Sequence, residues 1–180
     1  GVLDVTSPPT LIEQSFLRRL ELLPDDTRRL LLIAAAEPVG DVSLLWRAAE
    51  RVGLRTDAAV AAQSAGLIDL GSLVRFRHPL VRSAVYQAAS LPDRERAHRA
   101  LAEATDAEAE PDRRAWHRAH TTTVPDEDIA AELERSADRA ADRGGISAAA
   151  AFLERAAELT QDPAERGRRA LAAAQAKIES

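Results

Sequence analysis

One short stretch of this chain, residues 67–78, alternates apolar and polar side chains as a β-strand does, whereas the other segments carry apolar residues at helical spacing. Val74 and Phe76 fall on one face of the alternating stretch. Gly71-Ser72 interrupts it, and a Gly-Ser dipeptide between two short strands predicts a two-residue β-hairpin. The sequence therefore predicts a mostly α protein that contains one small hairpin.

Breaker and capping residues divide the chain before the hairpin into helices. Thr10 caps a predicted N-terminal helix, Pro24-Asp25-Asp26 opens the next, Asp41 or Ser43 caps a third that Gly53 closes, and Thr56 caps a fourth that stops at Gly66. Helices followed by a hairpin in this order are the winged-helix arrangement. We therefore predict an N-terminal helix plus a winged-helix domain within residues 1–90, the winged helix starting near residue 10.

Every segment after the hairpin has a helical pattern. Helices that open near Pro125 and Pro163 start 38 residues apart, close to the tetratricopeptide period of about 34 residues. Gly144-Gly145 separates the helices that lie between these starts. We predict a truncated α-helical, tetratricopeptide-like repeat region at residues 91–180. Because about three repeats are needed to bury the faces of such an array, this one must pack on neighbouring helices or on a second copy.

Composition excludes several classes of protein. The net charge is −5 with acids and arginines interspersed, so no basic stripe is available to neutralise several phosphates of a nucleic acid. The chain has no cysteine, which excludes disulfides, thiolate nucleophiles and cysteine-ligated zinc. No apolar run is long enough to span a membrane, and no signal sequence opens the chain. We expect a cytoplasmic protein with no membrane partner. Since it begins with glycine and has no methionine, we also expect it to be a piece of a longer chain.

Catalytic motifs are absent from the sequence. It contains neither a Gly-x-x-x-x-Gly-Lys-Ser/Thr phosphate loop nor a Gly-x-Ser-x-Gly nucleophile elbow, so we predict no catalytic residue, no cofactor and no enzyme activity in this segment. His117 and His120, three residues apart in WHRAH, can share one helix face, and His98 is a third candidate for the same group. Zinc would need a further ligand at motif spacing. The interpretation that needs no metal is that amphipathic histidines flank Trp116.

A winged helix that reads DNA places its recognition side chains on the helix predicted here at residues 56–65. That helix contains Asp57 and neither lysine nor arginine, so it lacks the attraction to phosphate that dominates affinity for DNA. Arg75 and Arg77 on the hairpin are open to two interpretations, a phosphate contact or two solvated arginines. We predict no direct binding of nucleic acid by this chain.

His78 stands where the alternation ends and Pro79 starts a helix. One interpretation is structural, in which His78 continues the inward face of Val74 and Phe76. The other is functional, because a helix N-terminus attracts phosphate oxygens and a histidine beside it can sense a nucleotide held by a neighbouring domain. Spacing alone leaves both interpretations open.

Several runs of the sequence carry a resemblance to a known family. They are LIDLGSLVRFRHPLVRSAVYQAASLPDRERAHRALAEA (67–104), PDRRAWHRAH (111–120) and ELERSADRAADRGGISAAAAFLERAAELTQDPAERGRRAL (132–171), with FLRRLELLPDDTRRLLLIAAA (16–36) and LLWRAAERVGL (44–54) fitting the same pattern. Nearly the whole chain thus resembles the large ATP-binding LuxR-type transcriptional regulators of actinobacteria, and FRHPLVRSAVY is the most specific of the runs.

The resemblance implies the layout of a STAND-class signalling ATPase. Such proteins have an N-terminal nucleotide-binding domain, a winged helix, a helical-repeat sensor region and a C-terminal DNA-binding helix-turn-helix, so this chain would be the middle part. ATP or ADP would then bind in the longer protein and not in this segment. In STAND proteins a winged-helix histidine contacts the β-phosphate of bound ADP, and His78 is the matching position. Arg77 and Pro79 flank it here in place of the Met and Asp of the better-known form.

Together these observations predict a signal-coupling segment of an ATP-dependent LuxR-type regulator, with Arg77 and His78 as nucleotide-sensing residues. The expected partners are the chain's own ATPase and DNA-binding domains, an effector or protein on the repeats, and a second copy of the chain. The alternative function is a protein- or peptide-binding helical-repeat scaffold without nucleotide sensing.

Overall fold

The computed structural model describes residues 18–179, which are mostly helical with a small two-stranded antiparallel sheet. The mostly α prediction is confirmed. The chain divides into two compact units with the boundary between Ala97 and His98. Residues 18–21 are helical, and the rest of the predicted N-terminal helix at Thr10 lies outside the described residues. The domain limits at 1–90 and 91–180 remain a prediction.

Helices precede and follow the hairpin in the N-terminal unit. They are α1 (Asp25–Ala36), α2 (Val42–Arg51), α3 (Ala58–Ser64) and α4 (Pro79–Ala88), with the first half of α5 (Leu91–Ala104) completing the unit. Pro24 occupies the N-cap of α1, and two acids in the first turn suit the positive end of the helix dipole. The start of α2 resolves the choice left open by the sequence, because the side chain of Asp41 caps this helix by accepting from the backbone N–H of Leu44 at 3.0 Å.

The core of the N-terminal unit lies among α1, α2, α4 and the hairpin. Its fully buried large side chains are Leu30, Leu31, Leu44, Leu45, Leu67, Ile68 and Val81. Helix α1 packs against α2, α3 and α4. Arg82 ties α4 to α1 through a bond from Nε to the backbone oxygen of Ala35 at 2.9 Å. The helices are therefore held around α1 mainly by leucine packing.

Strands β1 (Ile68–Leu70) and β2 (Val74–Phe76) form a hairpin where the sequence predicts one, with Leu70 opposite Val74. Its connection has three residues, 71–73, and not the two predicted, because Leu73 does not pair within the hairpin. A further bridge joins Asp41 to Leu73, and the Val74 N–H donates to the Gly40 oxygen at 2.7 Å. Gly40 has φ +78°, and a Cβ at this position would lie 2.6 Å from the Val74 oxygen. Only glycine fits here, because both the left-handed backbone and the close approach exclude a side chain.

Consecutive helices stack in the C-terminal unit. The second half of α5 is followed by α6 (Pro111–Ala119), α7 (Glu127–Asp142), α8 (Ile146–Glu158) and α9 (Pro163–Glu179). Helix α7 packs on α6, α8 on α7 and α9 on α8. Short connections make neighbouring helices antiparallel. The shared core is rich in alanine, so the helices approach closely, and it contains Ala115, Ala119, Ile129, Ala130, Leu133, Ala156 and Leu159.

A buried arginine links α9 to α7 and to the connection between α8 and α9. Arg169 of α9 is 3% exposed. Its Nε donates to Glu134 at 2.9 Å, its Nη2 to Glu127 at 2.7 Å and its Nη1 to the hydroxyl of Thr160 at 2.5 Å. Each nitrogen of the guanidinium thus has an acceptor, which makes burial of the charge tolerable.

Candidate functional site

The predicted site lies at the junction between the hairpin and α4. Strand β2 ends at Phe76, and Pro79 is the first residue of α4. His78 between them is extended, with φ −143° and ψ 138°, as expected for a residue that precedes proline. Proline is favoured at the first helical position because its fixed φ suits the helix and its missing N–H is not needed there. Local sequence therefore places His78 at the N-cap of α4.

The His78 ring caps this helix. Its Nδ1 accepts from the backbone N–H of Leu80 at 3.1 Å. In the neutral ring the proton therefore resides on Nε2, which is a hydrogen-bond donor. His78 is exposed, so it does not continue the inward face of Val74 and Phe76, because the strand ends two residues earlier and the chain turns into the helix.

Arg77 lies beside His78 at the same end of the hairpin. Its backbone N–H donates to the Leu67 oxygen at 3.0 Å, which fixes the backbone next to the histidine. Arg75 and Arg77 are both exposed, and neither forms an ion pair within residues 18–179. An imidazole donor, a helix N-terminus and two guanidinium groups on one short segment favour an anion as the ligand.

A groove of about 610 Å³ lies elsewhere in the N-terminal unit and does not include His78. Its floor is apolar, and its rim carries charges that neutralise one another. Asp25 pairs with Arg28, and Asp93 pairs with Arg96 and accepts from the Ser90 hydroxyl at 2.5 Å. These bonds, first from Ser90 and then from Arg96, hold the pKa of Asp93 below its usual range. No pattern in the sequence indicates this groove, because α1, α4 and α5 contribute to it from separated positions.

Helix α3 has an exposed face without charged side chains. Val60 is 60% exposed, and the neighbouring exposed residues Gln63 and Ser64 are uncharged. No cation on this helix is available to bind a phosphate backbone.

Three histidines meet in the C-terminal unit. His98 of α5 and His117 of α6 place their Nδ1 atoms 3.0 Å apart, and the His120 ring stacks on His98 with centroids 4.7 Å apart. The Trp116 ring lies 4.4 Å from that of His120. The sequence interpretation was that amphipathic histidines flank Trp116; His120 lies beside that ring, whereas His117 is buried against His98. What it missed is the direct contact between His98 and His117, which depends on how two helices pack.

His117 is 0% exposed, and its Nε2 has no hydrogen-bond partner among the described residues. Burial lowers its pKa from 6.5 to about 4, with smaller contributions from nearby His120 and Arg113. Burial also lowers the pKa of His120, although a bond to the Trp116 backbone opposes the shift. At neutral pH the His98–His117 contact is therefore a hydrogen bond in which one Nδ1 donates and the other accepts.

Within the described part of the chain, no three histidine or carboxylate side chains are arranged to hold a metal ion. None of the helices in residues 18–179 is both long and apolar enough to cross a membrane. Comparison with models of protein families, with curated proteins and with solved structures found no match to this chain.

Proposed function

We propose that this chain is the signal-coupling segment of an ATP-dependent transcriptional regulator of the LuxR type, in which His78 and Arg77 face a nucleotide held by a neighbouring domain. The proposal combines the sequence resemblance with the geometry at the start of α4. The single observation that supports it most is the exposed His78 ring at this helix N-terminus, with its proton directed to Nε2 by the cap bond to Leu80.

We further propose that the N-terminal unit is a winged helix. The order of α1, α2, α3 and the hairpin supports this assignment. The isolated bridge between Asp41 and Leu73 lies between α1 and α2, where a winged helix has a short strand. The lack of cations on α3 disfavours contact with DNA.

The helices of the C-terminal unit support a tetratricopeptide-like assignment. Helices α7 and α9 begin 36 residues apart, at Glu127 and Pro163, near the period of about 34 residues of such repeats. Sequential packing of α7, α8 and α9 is the arrangement of a helical stack. In the proposed regulator this stack binds an effector or a protein. Because that ligand binds one packing of the winged helix more tightly than another, its binding is coupled to whether ATP or ADP is held by the neighbouring domain.

The test uses the longer protein with its ATPase domain and separates nucleotide contact from helix capping. In His78→Asn the amide retains a cap, since asparagine is a favoured N-cap residue, whereas His78→Ala removes both the cap and the ring. Losing a hydrogen bond to a charged phosphate should speed ADP dissociation about 10- to 100-fold in both variants. Release of fluorescent ADP in stopped flow measures this rate.

Thermal melting provides the control. The Asn variant should melt like the parent protein, while the Ala variant should lose about 1 kcal/mol of stability together with its cap. Unchanged ADP release in both variants would refute nucleotide sensing and favour the alternative function, a protein-binding scaffold. Exposed Leu171 and Ile178 on α9 are the observation that favours this alternative. A salt-sensitive gel shift by the chain alone would instead indicate direct binding of DNA.

A further inference from the structure

Helix α9 has one face that the other residues of 18–179 leave open. Its buried residues are Arg169 and Ala173, which face α8 and α7. On another side Leu171 is 62% exposed and Ile178 is 86% exposed. Covering these two aliphatic side chains would remove apolar surface from water, which favours binding of a partner to this face.

The two large residues belong to a regular stripe. Gly167, Leu171, Ala174 and Ile178 follow one another at intervals of four, three and four residues, which puts them on one line along the helix. Gly167 and Ala174 are exposed, and a Cβ built on Gly167 meets nothing within 4 Å. We call these four residues the α9 stripe. Along the helix its side chains run small, large, small, large. A second stripe that runs in the opposite direction therefore presents a large side chain opposite each small one.

We propose that the α9 stripe binds a second copy of this chain, the two α9 helices pairing antiparallel about a two-fold axis that passes between Leu171 and Ala174. In this register Leu171 of one copy lies opposite Ala174 of the other, and Ile178 lies opposite Gly167. Each large side chain therefore enters the space above a small one. A two-fold interface uses the same patch on both copies, and this patch is complementary to itself.

The flanking charges agree with this pairing. In an antiparallel helix pair of this register, Arg168 lies beside Gln175 of the second copy, and Lys177 lies beside Ala170. No like charges are brought together. Within its own chain Arg168 contacts Glu134 and Lys177 contacts Glu154, so both cations are neutralised before the copies meet. A parallel pair would place Leu171 opposite Leu171 and Gly167 opposite Gly167, which crowds one level of the contact and leaves a gap at the other.

The contact is short. The stripe spans about 17 Å of helix at about 1.5 Å per residue, so the interface falls below the size of stable complexes and the dimer is weak. Sedimentation equilibrium of the 180-residue chain, over concentrations from about 10 µM to about 1 mM, covers the range expected for such a dimer.

Exchanging a large and a small residue tests the register. Leu171→Ala removes the projecting side chain, and Ala174→Leu places leucine opposite leucine, so each variant should raise the dimer dissociation constant about 10-fold or more. The double variant L171A/A174L restores a large residue opposite a small one and should return the dissociation constant to within about 3-fold of the parent value. These sites are exposed and both residue types favour helices, so circular dichroism should show unchanged helix content.

Val124→Ser is the matched control, because Val124 is also apolar and is 66% exposed but lies outside the stripe. It should leave dimerisation unchanged. A chain that stays monomeric over the whole concentration range overturns the proposal. So does a dimer that the single variants do not weaken, or one that the double variant fails to restore, since the contact would then involve another surface, another register or a different partner.

Discussion

The buried histidine pair makes acid sensitivity the most direct consequence of this fold. His117 is fully enclosed, its Nε2 has no partner among the described residues, and its Nδ1 faces His98. The other charged or titratable groups that act on it are His120 and Arg113, both of which disfavour a further positive charge. Protonating His117 therefore requires the C-terminal unit to bury an unsolvated cation or to open.

The size of the effect follows from the shift in pKa. The pKa of His117 is about 4 in the folded chain against 6.5 in its ordinary state. Because the unfolded chain binds this proton more readily, the contribution to stability is complete above pH 6.5 and is lost as the pH falls towards 4. A difference of this size, at about 1.4 kcal/mol per pKa unit, corresponds to about 3 kcal/mol. No further loss from this group occurs below the folded pKa.

The measurement is urea unfolding at a series of pH values from 7.5 to about 4, followed by tryptophan fluorescence. Trp116 adjoins the histidines, and Trp46→Phe removes the other tryptophan, so the signal comes from the C-terminal unit alone. His117→Gln supplies the comparison, because glutamine does not titrate. Subtracting its pH profile from that of the parent cancels the carboxylates, and the difference should fall by about 3 kcal/mol between pH 7 and pH 4.

Two results would refute this reasoning. One is a parallel pair of pH profiles for the parent and His117→Gln. The other is a side-chain NMR titration in which His117 gains its proton near pH 6.5 in the folded chain, since that would show that the ring is solvated.

Further substitutions test the rest of the fold, each followed through the tryptophan of its own unit. Arg169→Met should lower the free energy of unfolding of the C-terminal unit by about 3 kcal/mol, because it leaves Glu134 beside a hydrocarbon chain; a loss below about 1 kcal/mol would show that solvent compensates. Gly40→Ala should cost the N-terminal unit about 3 kcal/mol through strain and a clash with β2, whereas Gly53→Ala, with φ +74° and open space, should cost about 1 kcal/mol. Equal losses of stability in these two variants would contradict the close approach of Gly40 to the Val74 oxygen. Asp126→Ala should cost about 1 kcal/mol by removing the cap on α7, and no change in urea midpoint would contradict it.

Helix starts were the most predictable part of the structure. Asp25 begins α1 and Pro163 begins α9, where proline and acids mark the sequence. These signals act within one turn, so a single sequence contains all the information they need. The hairpin near Gly71-Ser72 was predictable for the same reason, because turn residues act locally, but its two-residue turn was wrong, since Leu73 also lies between the paired residues Leu70 and Val74.

The position of the candidate site was predictable, but the direction of its side chain was not. Alternation placed His78 on the inward face, yet it caps α4 at the surface. A period-two pattern holds only while the strand continues, and the chain leaves the strand after Phe76. Pro79 marked the start of the helix in the sequence. The direction of the His78 side chain, however, depended on where pairing between β1 and β2 stopped, which the sequence does not show.

Within residues 18–179, the sequence by itself determined the mostly α fold class, the succession of helices and the hairpin, because caps, breakers and side-chain periodicity act over a few residues. The tertiary structure alone decided that His98 meets His117, that Arg169 reaches Glu134 and Glu127, and that Gly40 lies against Val74. These partners are separated by 19 or more residues along the chain. Only the packing of helices and strands brings them within hydrogen-bonding or contact distance, and spacing along a chain carries no measure of that packing.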